Sequence, residues 1–212
     1  MYIPAAFRED RIERLSELMR NYPLATLVTM GSSGLIASHV PLLYESLPDS
    51  PGILRGHLSR ANPQWQDFRS EVEALAIFAG PEAYISPSWY ATKQQHGRVV
   101  PTWNYATVHA YGNLEVYTEP ARLRKLLATL TTEHEKRYSP WTMSDAPPEF
   151  IDGLLNAIVG IDIRLTRLEG KWKVSQNRPP EDRHGVIEGL TAKGDAKSKA
   201  MADLVRELSP EK

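Results

Sequence analysis

Between residues 10 and 21, Ile12, Leu15, Leu18 and Met19 recur at spacings of three and four with Arg11, Glu13, Glu17 and Arg20 between them, which predicts an amphipathic helix. Asp10 is suited to accept a first-turn N–H, and Pro23 stops the helix. The period then shortens. Residues 24–30 are apolar and rich in Thr and Val, and the Gly31-Ser32-Ser33-Gly34 turn leads into 35–45, so the pair reads as a β-hairpin. Further strands are expected at 53–59, 74–79 and 107–117, with a short helix at 63–68. Beyond Tyr117, Leu123, Leu126, Leu127 and Leu130 share one face of a helix running from Pro120 to about Arg137. Pro147-Pro148 opens another helix, through Ala157. Ile161, Ile163, Leu165 and Leu168 then alternate with polar residues, and with Glu169-Gly170 as a turn and Trp172-Lys173-Val174 returning they predict a second hairpin. Short antiparallel strands, then helices, then a hairpin indicate an α+β fold whose strands close into a small barrel. Residues 1–192 are expected to form one domain and 193–212 a charged helical tail.

Composition narrows the chemistry. With 212 residues, 42% hydrophobic and 24% charged, the chain can bury a core without staples, and it has no Cys, which removes disulfides, thiolate metal sites and Cys nucleophiles. The opening MYIPAAFRED lacks the pattern of an export signal, and no segment approaches the apolar length needed to cross a bilayer, so a cytoplasmic protein without membrane contact is expected. A net charge of −1 supplies no broad field for nucleic acid. The six His show no metal-ligand spacing, and no nucleophile elbow, Walker loop or G-x-G-x-x-G is found.

The distinctive residues fall outside the regular periods. His57-Leu58-Ser59-Arg60-Ala61-Asn62 ends a strand and enters a short helix, offering an imidazole, a hydroxyl, a guanidinium and an amide, a set that suits a phosphate monoester. Simple capping by Ser59 or Asn62 with a solvated Arg60 would use the same residues. Tyr84, Trp89, Tyr90, Trp103 and Tyr105 stand beside prolines in expected loops, where they suit a planar cofactor, a partner subunit or a small satellite core. Pro41 interrupts a strand beside His39, implying an edge or a bulge.

These clusters, taken in order, resemble the PaiB family of FMN-binding negative transcriptional regulators. The resemblance runs from Met1-Tyr2-Ile3-Pro4 and Phe7 through H-V-P-L-L, G-H-L-S-R-A-N-P-Q-W, F-x-G-P-x-A-Y-I-S-P-S-W-Y, V-P-T-W-N-Y and S-Q-N-R-P to Arg183-x-Gly185-Val186. More remotely the pattern is similar to the pyridoxamine phosphate oxidase class. The resemblance implies an antiparallel split β-barrel with peripheral helices, a homodimer, and FMN in a groove between subunits. It further implies that Ser59, Arg60 and Asn62, with His57, hold the phosphate, although the Lys expected after Arg60 is Ala61. His39, in place of the usual Arg, with Val40, Pro41 and Leu42, would form one wall for the ring. Trp103, Asn104, Tyr105, Gln176 and Arg178 would close the groove from the other subunit.

Three functions follow as alternatives. In one, the flavin performs hydride or electron transfer and the protein is an oxidoreductase, with His39, His57 and Tyr84 able to reach the ring but none singled out as acid or base. In another the protein is a regulator without turnover, although the basic residues at 122–137 and 193–199 read as solvated faces and direct DNA contact is expected to be weak. The last is haem binding or degradation, which leaves the phosphate-type turn without a purpose.

Overall fold

The computed structural model describes residues 1–136, 138 and 141–209. The chain divides into two compact units, one of Met1–Leu18, Ala79–Val108 and Glu169–Lys212 and the other of Met19–Phe78 and His109–Leu168. Its strands are β1 (Arg8–Glu9), β2 (Leu24–Gly31), β3 (Gly34–Pro41), β4 (Leu43–Leu47), β5 (Ser50–Ser59), β6 (Ala74–Ile85), β7 (Thr102–Tyr117) and β8 (Ile158–Lys173). They follow one sheet order, β3-β2-β6-β7-β8-β5-β4, with β1 paired to β8, and every registered pair is antiparallel. The helices are α1 (Ile12–Asn21), α2 (Thr92–His96), α3 (Pro120–Glu135), α4 (Pro148–Asn156), α5 (Pro180–Lys193) and α6 (Ala196–Glu207). The end expected for α3, Arg137, lies outside the described residues.

In the second unit, β2 and β3 form the expected hairpin, closing at Gly31↔Gly34. The strand expected over 35–45 is broken at Leu42, whose N–H donates to the Pro23 carbonyl, and resumes as β4. Pro41 ends β3, an edge strand, where its missing donor costs no ladder bond. The apolar face expected on α3 packs as read: Leu123, Leu126 and Leu130 join Tyr117, Ile151 and Leu155 in one cluster, with Leu127 partly buried against it.

The first unit departs further from the sequence pattern. The expected hairpin after Ile161 does not form; β8 continues through Glu169-Gly170 to Lys173. Gly170 is there because nothing larger fits. A Cβ would lie 2.3 Å from Leu15 Cδ2 and 2.5 Å from the Glu9 carbonyl oxygen, the strand to which Gly170 is paired. Similarly, β6 runs past Gly80-Pro81 to Ile85 and β7 begins at Thr102, so Tyr84, Trp103 and Tyr105 belong to strands, not loops. Periodicity misses α5, in which Asp182 and Arg183 are buried, whereas α6 lies within the helical tail expected over 193–212 and buries Met201, Ala202 and Val205.

At α1 the cap position falls on Arg11, not Asp10: the Arg11 carbonyl accepts the first helical bonds from Arg14 and Leu15, and the Glu9 carboxylate holds Arg11 in place, accepting from its N–H at 3.0 Å and its Nε at 2.7 Å. Burial of Glu9 would raise its pKa, but the Arg11 hydrogen bonds and the Arg11 and Arg14 charges outweigh it and hold the carboxyl below its ordinary 4.5. A depressed folded pKa contributes stability that is complete above the unfolded value and lost as pH falls through the folded one. In urea unfolding, Glu9→Gln is therefore expected to be less stable than wild type at pH 7, with the difference shrinking at pH 3.

Candidate functional site

The turn after β5 is fastened before it is functional. Gln64 is fully buried, and its Nε2 donates to the Leu27 carbonyl (3.3 Å), Thr29 Oγ1 (3.0 Å) and the Ile36 carbonyl (3.2 Å), seating the turn on β2 and β3. Asn62 caps the short 3-10 turn Pro63–Trp65 by accepting the Gln64 N–H at 3.0 Å, while its Nδ2 donates to Ser38 Oγ at 2.8 Å. Both ends of that amide are thus engaged within the protein. Arg60 is not simply solvated either. Its Nε donates to the Asn156 carbonyl (2.8 Å) and its Nη2 to the Ile158 carbonyl (3.1 Å), and its N–H takes the Ala157 carbonyl, so it satisfies acceptors at the C-terminal end of α4. The Nη1 amino group faces no acceptor among the described residues, and beside it in sequence the exposed Ser59 hydroxyl accepts only a long bond, 3.3 Å, from the Ala61 N–H.

His57 stands on β5 opposite Gly160. Its Nδ1 is buried without a hydrogen-bond partner, and burial pushes its pKa down, leaving the ring neutral at pH 7. On β3 the alternation divides the residues that the sequence groups together. His39 and Pro41 are exposed, with His39 Nδ1 3.2 Å from Thr26 Oγ1, whereas Val40 and the following Leu42 are core side chains.

The first unit brings together the other candidates. Trp103 is exposed and meets Tyr84 edge-on, ring centroids 6.0 Å apart. Asn104 points the other way and is buried, donating to Ser175 Oγ at 2.9 Å. Gln176 closes the local turn: its Oε1 accepts the Val174 N–H at 2.8 Å and its Nε2 donates to the Trp172 carbonyl, beside Ser175 at φ 66°. Tyr105 lies 5.2 Å from Lys171 Nζ, and the Arg178 guanidinium sits 4.6 Å from the Tyr90 ring centroid.

Two residues that sequence reasoning passed over complete this cluster. Lys173 Nζ donates to Thr102 Oγ1 and the Trp103 carbonyl, and Lys171 Nζ to the Tyr2 carbonyl at 3.2 Å. None of Lys171, Lys173 and Arg178 has a carboxylate within ion-pair distance among the described residues. Burial first, then the charges of Lys171 and Arg178, push Lys173 below the usual lysine value. The signal in the sequence is Lys-Trp-Lys, whose period of two places both cations on one strand face, although Glu169-Gly170 before it has the composition of a hairpin turn. Among the described residues, no group of three or more His, Asp or Glu is arranged to hold a metal ion.

The family model described as "Putative FMN-binding domain" matches residues 1–167. A relative from Bacillus subtilis, named protease synthase and sporulation protein PAI 2, is 32% identical, with 98% of this chain and 97% of the relative covered. The chain belongs to the PaiB family of FMN-binding split-barrel proteins. An uncharacterized protein from Emericella nidulans is 35% identical over the same shares of the two chains. Among solved structures, the FAD and heme binding protein from Mycobacterium smegmatis superposes with a TM-score of 0.53 at 15% identity, covering 78% of this chain and 73% of that one; it shares the fold. FMN is the cofactor of this PaiB chain, and the donors fit it: an unengaged guanidinium edge beside a hydroxyl in one unit, and uncompensated cations beside exposed aromatic rings in the other. No helix among the described residues is long and apolar enough to cross a membrane.

Removing the buried Gln64 amide strands its acceptors and detaches the turn. Gln64→Ala is expected to cost about 2–4 kcal/mol in urea unfolding, and unchanged stability would refute this account of the turn.

Proposed function

We propose that this flavin-binding protein is a cytoplasmic homodimer of oxidoreductase type, in which any regulatory action runs through the redox state of FMN. FMN supplies hydride or electron transfer when bound. The reading rests chiefly on Lys171, Lys173 and Arg178, an uncompensated cationic cluster beside Trp103 in a chain of an FMN-binding family. In this reading Arg60 Nη1 and the Ser59 hydroxyl hold the phosphate, with the neutral His57 ring two residues before Ser59 on β5 supporting the turn from beneath. The partner subunit's Trp103 and Tyr105 cover the ring, and its Lys173 and Arg178 hold positive charge against the ring's electron-rich edge. Asn104 and Gln176 act by fixing the backbone that carries these groups, since their amides are engaged locally.

A directly DNA-reading role has little electrostatic support. Arg122 and Arg124 on α3 pair with Glu115 and Asp162 and with Asp152, Lys136 just after α3 pairs with Glu133, and in the tail Lys197 faces Glu82 at 3.6 Å, which leaves Lys125, Lys193 and Lys199 as scattered exposed cations without an ion pair among the described residues. Cations already paired release few counterions on meeting phosphate. Gel-shift assays with the fragment upstream of its own coding sequence are expected to show retention only at low salt, and sequence-specific retention at 150 mM would overturn this.

Subunit sharing has a direct test. Arg60→Ala and Trp103→Ala are each expected to weaken FMN binding by about tenfold or more, by flavin fluorescence. In the shared arrangement, unfolding and refolding an equal mixture restores one intact site per heterodimer, or about a quarter of all sites. A mixture that recovers no binding would sink the shared-site proposal, and full flavin retention in Arg60→Ala would sink the phosphate assignment. Circular dichroism separates either result from loss of α4, whose terminal carbonyls Arg60 also holds.

A further inference from the structure

Away from these residues, the first unit contains an open cavity of about 780 Å³ between the segment at 88–94 and α5. Its walls are fixed by close packing. At Gly185 a Cβ would come within 1.9 Å of the Trp89 carbonyl oxygen, and at Gly189 within 2.3 Å of the indole, so α5 lies directly against Trp89. Asp182 fastens the other side, accepting from the Thr92 N–H at 2.9 Å and from Thr92 Oγ1 at 2.8 Å.

Into this wall the chain builds Arg183, which is only 8% exposed. Its Nε is inaccessible and without a partner, and the guanidinium makes no hydrogen bond or ion pair among the described residues. Tyr90, on the same lining, carries the Arg178 guanidinium 4.6 Å from its ring centroid, so Arg183 is the lining cation left without a partner. Asp182, next to Arg183 in sequence, is engaged by Thr92. Burying a cation without an acceptor is costly, and a site that does so gains most from an anion.

The rest of the lining limits which anion fits. Glu181 and Glu188 also border the cavity, with Glu188 3.1 Å from His184 Nε2, so one guanidinium cannot balance a dianion there. Trp89 and Ile187 add apolar wall, and the volume lies in the range of small-molecule sites. We propose that this cavity is a second ligand site, meeting the proposed flavin-binding residues only at Tyr90, over which Arg178 lies, and that it takes a small monocarboxylate: its carboxylate lies on the Arg183 guanidinium and its apolar body against Trp89.

Calorimetric titration of the full-length, FMN-saturated protein with phenylacetate is expected to show one site per chain, whereas phenethylamine, which lacks the carboxylate, is expected to show none. Arg183→Met should weaken phenylacetate by about tenfold or more while raising the melting temperature of the ligand-free protein. Glu181→Gln, a change at an exposed side chain, should tighten it several-fold by removing a like charge, and it carries the test if Arg183→Met does not fold. Absence of phenylacetate binding, equal affinity in Arg183→Met, or no gain in Glu181→Gln would overturn the proposal. So would a crystal structure in which a carboxylate of a second copy occupies Arg183.

Discussion

At Gly170 the β8 backbone lies against the Glu9 carbonyl and the Leu15 side chain, with no space for a methyl group. This contact keeps β8 running as one strand where the sequence has the composition of a turn. Because the strand does not reverse, Lys171 and Lys173 remain in the pleat, on the same face and alternating with the buried Trp172. Lys173 thereby reaches Thr102 and the Trp103 carbonyl on β7, and positive charge is placed beside an exposed indole. A real hairpin at Glu169-Gly170 would have sent these side chains elsewhere and left the cluster without a scaffold.

The treatment of charge differs across the molecule in a way that bears on function. On α3, Arg122 and Arg124 are matched to carboxylates, and Arg122 also lies 3.7 Å from the Tyr117 ring centroid. There burial and the nearby Asp162 push the Tyr117 hydroxyl up to about 12, so that aromatic ring stays neutral. Those residues form a closed structural network. Lys171, Lys173, Arg178 and Arg183 lack such matches, and an unmatched buried cation is retained against its desolvation cost only where something else benefits from it.

Much of the candidate phosphate turn was legible, but its division of labour was not. A guanidinium, hydroxyl and amide in one short run announce an anion site or a cap, and the structure uses the run for capping as well: Asn62 holds Gln64, and Arg60 holds the end of α4. The fully buried Gln64 was written within the same motif, yet nothing local reveals that its amide would reach three acceptors on two strands. Such partners lie roughly thirty residues away, and pairing over that separation is decided by register.

By itself the sequence determined the α+β class, the first hairpin, the α3 face and, through its ordered motifs, membership of a flavin-binding family. These are properties of local period and residue type, and they survive being read one window at a time. Tertiary structure alone decided that Gly170 is a packing glycine and not a turn, that Val40 and Leu42 face inward while His39 faces out, and which cations go without a carboxylate partner. Each of those outcomes depends on what lies across the strand or under the helix, and a close backbone approach or a missing carboxylate has no signature along the chain.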